Sequence, residues 1–221
     1  TTLNGCLLIV AVAGSGKTTV LINRAVNLVN AGVDPKRILM ITFTRYAARN
    51  MAIKAKEIGD NKCIGLYTST FHSFYLDMLR RYGNIIGMDP NFVILNSDGS
   101  IEDSISQVMA KYTEYGEVKG FPSFSDIREA YSYAINTGRP LDQVLSEFKE
   151  TMDYVAELCD LYEIWTKEKE ATNNYTYDDL MVKMLELMQT ENGRNAVSSL
   201  FDYIMVDEYQ DINKPQNEIL Q

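Results

Sequence analysis

Histidine and cysteine are scarce in this chain, at one and three copies. Cys6, Cys63 and Cys159 are far apart, odd in number and form no CxxC pair. They exclude a disulfide framework and a zinc-type ligand set. They read as buried free thiols in a reducing cytoplasm. His72 has no partner cluster, so a metal centre built on histidine is also excluded. No apolar run approaches the ~20 residues needed to span a bilayer, so no membrane partner is expected. The N-terminal apolar stretch lacks a basic segment before it and runs straight into a glycine-rich loop. It therefore reads as a buried strand and not as a signal peptide. Internal repeats and low-complexity segments are absent as well.

A basic excess is also missing. The net charge is −9, which taken whole argues against a nucleic-acid binder. The distribution is uneven, however. Residues 1–80 hold ten Lys/Arg against four acids, a local +6, and the remainder carries −15. A phosphate ligand responds to the local field more than to the total. The hydrophobic fraction of 46% and charged fraction of 23% are those of a folded chain. At 221 residues there is room for one large domain, or for a core with a sizeable insertion.

Residues 7–13, LLIVAVA, predict a strand buried on both faces. Gly14, Ser15 and Gly16 break it, and apolar spacing at Val20, Leu21, Ala25 and Leu28 predicts a helix ended by Gly32. A second buried strand is expected at 37–43, a helix from Ala47 to Ile58, a third strand at 63–69 and a helix from Phe71 to Tyr82. This alternation predicts a parallel α/β sheet. Residues 89–175 carry helical patterns separated by polar breaks and predict a helical insertion. A helix from about Tyr177 leads back to a strand, YIMV at 203–206, which ends in acids.

Ala11 to Thr18 matches the P-loop pattern with Ala in place of its first Gly. Glycines let the backbone curl so that N–H groups from Ala13 through Gly14, Ser15, Gly16, Lys17, Thr18 and Thr19 can point at phosphate oxygens. A helix N-terminus adds its partial positive charge. The Lys17 ammonium can reach the β and γ phosphates, and the Thr18 hydroxyl can ligate Mg²⁺. Asp207-Glu208-Tyr209-Gln210-Asp211 stands at the end of the YIMV strand. The first carboxylate can hold Mg²⁺ and the second can orient and deprotonate an attacking water. ATP and Mg²⁺ are the expected cofactors.

AGSGKTT, TFTRYAARNM, TSTFHSF and VDEYQD, in that order, resemble UvrD/Rep/PcrA-type superfamily 1 helicases. The resemblance spans residues 7–221. It implies a RecA-like P-loop NTPase sheet, residues 1–88 and 176–221, with an inserted helical subdomain at 89–175. It also implies an ATP-driven motor that moves 3′ to 5′ on single-stranded DNA. Lys17, Glu208 and Gln210 would be catalytic, with Glu208 as general base and Gln210 sensing the γ-phosphate. Thr18 and Asp207 would hold the metal. Phe43, Thr44 and Arg45, with Thr70, Phe71 and His72, would contact the DNA strand. From the residues alone, Phe43 can equally be a core strand residue and His72 an ordinary surface group. Tyr177-Asp178-Asp179-Leu180 resembles a DFxDL segment and reads as structural.

The chain departs from the pattern in places. Arg45-Tyr46 stands where the family has Asn-Lys. In Ser132–Asn136, Ile135 replaces the lysine of an S-x-x-K-N segment, which puts a phosphate contact there in doubt. The family's adenine-reading glutamine would precede Thr1, and a second motor domain with its arginine fingers would follow Gln221. The chain is therefore expected to be a piece of a longer protein. Arginine fingers are worth roughly 10³-fold or more in phosphoryl transfer. The chain alone should bind Mg-ATP, hydrolyse it very slowly and unwind nothing. Three other functions fit the same residues: the motor part of a RecB- or AddA-like helicase-nuclease, a P-loop kinase or GTPase (disfavoured by DEYQD and the lack of NKxD), and an ATP-binding regulatory module whose acidic middle holds a protein. The pathway served and any protein partners are not legible.

Overall fold

The computed structural model describes residues 5–10, 12, 14–112 and 121–221. In chain order, the first half contains α1 (Lys17–Asn30), β1 (Ile38–Thr42), α2 (Arg45–Ile58), β2 (Tyr67–Thr70), α3 (Phe71–Tyr82), β3 (Val93–Ile94) and α4 (Asp98–Tyr112). The second half contains α5 (Phe124–Thr137), α6 (Leu141–Glu147), α7 (Val155–Ala171), β4 (Asn174–Tyr175), α8 (Tyr177–Gln189), α9 (Glu191–Ser198), β5 (Tyr203–Val206) and α10 (Lys214–Leu220). It is a mixed α/β chain with parallel strands. It divides into two compact units, Thr1–Phe74 with Arg194–Ile212, and Tyr75–Gly193 with Asn213–Gln221.

The first unit is built on a parallel sheet of order β2-β1-β5. All five residues of central β1 are buried, as a strand covered on both faces requires. Successive side chains alternate between faces. Ile38 and Met40 join Ile22, Ala25 and Leu28 of α1, Met51 and Ala55 of α2, and Met205 of β5 in one core. Each such large apolar side chain contributes about 1.5–3 kcal/mol on burial. The register of β5 is fixed at its start. The Asp202 N–H donates to the Arg37 carbonyl at 2.8 Å. The Arg37 guanidinium donates to both Asp202 carboxylate oxygens, each at 2.5 Å. Arg37 holds Asp202 below the usual carboxylate range through that hydrogen bond.

The strand expected at 7–13 is a correction. Among its described residues the backbone is irregular, and Leu8 and Val10 are 67% and 86% exposed. β5 ends the sheet on that side, and no described strand pairs with its outer edge. An apolar run becomes a strand only when a neighbour completes its hydrogen-bond ladder, and composition does not report the neighbour. Cys6 lies in the same stretch and is exposed, which corrects its reading as a buried thiol; Cys63 is buried and Cys159 half-buried.

The second unit is helical apart from β3 and β4, which pair in parallel through Val93–Asn174 and Ile94–Tyr175. Ile105 and Val108 of α4, Ile127 and Tyr131 of α5, Val144 and Leu145 of α6, and Leu158, Leu161 and Trp165 of α7 form its core. The buried Tyr131 hydroxyl donates to the Leu158 carbonyl at 2.6 Å. No described helix is long and apolar enough to cross a membrane.

Candidate functional site

The glycine loop acquires its shape from two left-handed residues, Gly14 at φ 76° and Gly16 at φ 89°. A Cβ on Gly14 would meet nothing within 4 Å, so the backbone angle and not crowding is what requires glycine there. The Ser15 N–H donates to the Val12 carbonyl at 3.2 Å and closes the turn. Gly16 then caps α1 without a side-chain bond, and no acid occupies the first turn. A helix start leaves its first N–H groups outside the intrahelical ladder and concentrates positive potential there. Lys17, Thr18 and Thr19 lie on that turn. Ala13 falls outside the described residues.

Across 189 positions of sequence, the Thr18 hydroxyl donates to Asp207 Oδ2 at 2.9 Å. Asp207 directly follows β5, and its own N–H extends the ladder to the Ile41 carbonyl at 2.8 Å. Its side chain is held in place, only 5% exposed. Oδ1 is buried with no hydrogen-bond partner among the described residues. A buried, unsatisfied carboxylate oxygen beside a hydroxyl fits a small hard cation, which takes oxygen ligands. No group of three or more His, Cys, Asp or Glu gathers among the described residues.

The orphaned oxygen has a measurable cost. A buried charge is harder to desolvate than a buried neutral amide. Asp207→Asn is expected to raise the melting temperature by a few degrees in EDTA, since roughly 1 kcal/mol moves a chain of this size by about 2–4 °C. The same variant should lose the further stabilisation that Mg-ATP gives the wild type. Thermal melts with and without Mg-ATP check both; an Asp207→Asn protein less stable in EDTA would contradict the first.

Glu208 adopts φ 53°, ψ 45°, a left-handed conformation unusual for a residue with a Cβ. Backbone strain of this kind collects at functional sites. The Glu208 carboxylate accepts a hydrogen bond from Gln210 Nε2 at 2.5 Å. The same nitrogen donates to Asp211 at 3.2 Å. Gln210 therefore ties two carboxylates together. Asp211 was read as part of the motif without a role, and its contact was not visible from spacing.

Most of the predicted strand-contact residues cluster at the sheet's carboxyl ends. Phe43 follows β1, is 39% exposed, and its ring tilts against Phe71 at 5.6 Å. Phe71 itself is 2% exposed, so it supports Phe43 from below. Thr44 accepts from the Ala47 N–H at 3.1 Å and caps α2. Arg45 and His72 are exposed. Thr70 is buried, and its hydroxyl donates to Ser73 Oγ at 3.0 Å.

In the second unit, Asp179 of the YDDL segment is buried against Lys169, and Asp178 accepts from Asn136 at 3.0 Å. Asn136 accepts in turn from Asn213 at 2.9 Å. The SYAIN segment thus enters a polar network within the protein. Lys169 had no sequence signal, because a pair ten residues apart across a strand follows no helical or strand period.

The UvrD/REP helicase N-terminal domain family matches residues 1–221. The ATP-dependent DNA helicase PcrA of Leuconostoc citreum is 32% identical over 99% of this chain. That of Staphylococcus aureus is 32% identical over 97%. A probable DNA helicase II homolog of Mycoplasma capricolum is 28% identical over 96%. The chain spans about 29% of the length of each of these relatives.

Proposed function

The chain belongs to the UvrD/REP helicase N-terminal domain family, and on that premise we propose that it is the ATP-binding front part of a DNA-translocating motor. The reading takes the parallel sheet as a RecA-like core, residues 1–88 and 176–221, with the helices of 89–175 inserted in it. The observation that carries it is the Thr18–Asp207 hydrogen bond with its orphaned carboxylate oxygen. It joins the glycine loop to the acidic motif, as a nucleotide site at the ends of parallel strands needs.

In this reading the loop N–H groups and Lys17 bind the triphosphate of ATP. Thr18 and Asp207 would hold Mg²⁺, which when bound offsets charge on the β and γ phosphates. Glu208 accepts a proton from the attacking water. Gln210, bonded to Glu208, couples that carboxylate to the state of the γ-phosphate. Phe43, Thr44 and Arg45, with Thr70, Phe71 and His72, form the single-strand side. Phe43 offers a ring, Arg45 a cation, His72 an exposed polar edge, and the buried Thr70 and Phe71 set their positions. Polarity of 3′ to 5′ and a second motor half beyond Gln221 follow from the family resemblance.

The test is ATP hydrolysis by the longer protein that carries this chain, with and without oligo-dT. Strong stimulation by DNA is the expected result. ATP binding without stimulation would replace the motor with an ATP-binding regulatory module. The chain alone is expected to bind Mg-ATP and turn it over far more slowly, because arginine fingers worth roughly 10³-fold or more are then missing. Equal turnover by the chain and the longer protein would contradict that.

A further inference from the structure

Tyr46 is 77% exposed, at the second position of α2. The helix turns Ala48, Met51 and Ala55 into the core. At helical spacing, Tyr46, Arg49 and Ile53 share the opposite face, and all three are exposed. Arg45 beside them is exposed too, and the first turn carries no acid. The sole acid of α2 is Glu57, in its last turn, against Arg45, Arg49, Lys54 and Lys56. In a chain of net charge −9 this face carries Arg49 with Arg45 and Lys56 at its border and Glu57 at its far end, a local excess of positive charge headed by an aromatic ring.

We infer that this face binds single-stranded DNA, with the Tyr46 ring stacking on a base and Arg45 and Arg49 holding adjacent phosphates. The inference rests on the motor reading above and adds a second stacking ring to Phe43. Charge complementarity selects a polyanion. An uncovered ring among the cations selects one with accessible flat bases, which a single strand presents and a duplex keeps in its stack. The family motif has Asn-Lys where this chain has Arg45-Tyr46, so the ring belongs to this chain and not to the motif.

The experiment is fluorescence anisotropy of a labelled dT oligomer titrated with the full chain, as wild type, Tyr46→Ala, Tyr46→Phe and Arg49→Ala. Tyr46→Ala should weaken binding roughly 5- to 150-fold, the equivalent of about 1–3 kcal/mol per stacked base. Tyr46→Phe should keep the affinity. On an abasic oligomer, wild type and Tyr46→Ala should converge, which a structural role for the ring would not produce. Arg49→Ala should flatten the slope of log affinity against log salt by about 0.7, one phosphate contact on a single strand. Unchanged melting temperatures verify that each variant folds. Wild-type binding that Tyr46→Ala leaves intact overturns this inference alone. A wild-type chain that binds no dT oligomer overturns the strand-binding reading and the inference with it.

Discussion

Glu208→Gln is expected to lower DNA-stimulated ATP hydrolysis by roughly 10²–10⁴-fold while leaving nucleotide affinity near the wild-type value. The amide has nearly the same shape as the carboxylate, and its oxygen can still accept from Gln210 Nε2, the 2.5 Å contact of the wild type. The left-handed backbone at φ 53° is imposed by the turn after β5 and is the same for either side chain. What the substitution removes is the ability to take a proton. A loss of that size is about 2.7–5.5 kcal/mol of barrier, far above what a displaced surface side chain produces. The measurement is steady-state hydrolysis at saturating oligo-dT, beside a nucleotide titration of the same preparation. A variant that keeps more than half the wild-type rate would remove Glu208 from the general-base role. A variant that loses binding and rate together would mean that Glu208 shapes the pocket instead. Asp207 gives the contrast: its Oδ2 accepts from Thr18 and its buried Oδ1 has no partner among the described residues. Its loss should therefore act through metal and nucleotide affinity.

The sequence made some of these features legible and hid others for physical reasons. Helices α1, α2 and α3 and strands β1 and β5 were readable because each combines a sustained period with a clear stop. β5 coincides with the expected 203–206, bounded by an acid on each side. β2 begins at Tyr67, four residues later than expected, because Cys63 to Leu66 form turns whose composition resembles a strand. β3 and β4 were invisible, since two residues cannot display a period of two. The run at 7–13 misled for the opposite reason. Its composition suited a strand, but its described residues form no ladder with the free edge of β5, which no local pattern can reveal. Motif residues were legible as a set, but their partners were not. The Thr18–Asp207 contact spans 189 residues and follows from topology alone. Two of the splits between compact units fall inside α3 and α9, where helical patterning continues across the boundary even though Gly193 stands at it in α9, and the third falls just before α10. Composition boundaries near 88 and 176 record a change of helical patterning, which is a different property.

Lys169→Met is expected to lower the stability of the second unit by about 3–5 kcal/mol, the cost of leaving a buried ion pair half broken. Lys169 is 3% exposed and its ammonium donates to both oxygens of Asp179 at 2.7 Å. It also sits 3.7 Å from the Trp165 ring centroid, a position that favours a cation. Burial pulls its pKa below the usual lysine value, and the Asp179 charge opposes that pull. Asp179 is meanwhile committed elsewhere: Oδ2 accepts from the Thr176 N–H at 2.7 Å and from the Thr176 hydroxyl at 2.9 Å, forming the capping box that starts α8. Methionine keeps the length and apolar stem of the lysine, so packing on Trp165 survives and the isolated effect is the lost charge. The carboxylate cannot move to water without dissolving its own cap. In the double variant Lys169→Met/Asp179→Asn, a neutral amide can still accept at the cap, and more than half of the loss should return. The exposed Arg37–Asp202 pair is the control, since screening leaves such pairs worth little and salt weakens them further. Urea unfolding of wild type, both single variants and the double variant measures the coupling. A Lys169→Met midpoint equal to wild type, or a double variant no more stable than Lys169→Met, would show that the pair does not anchor α7 to the start of α8.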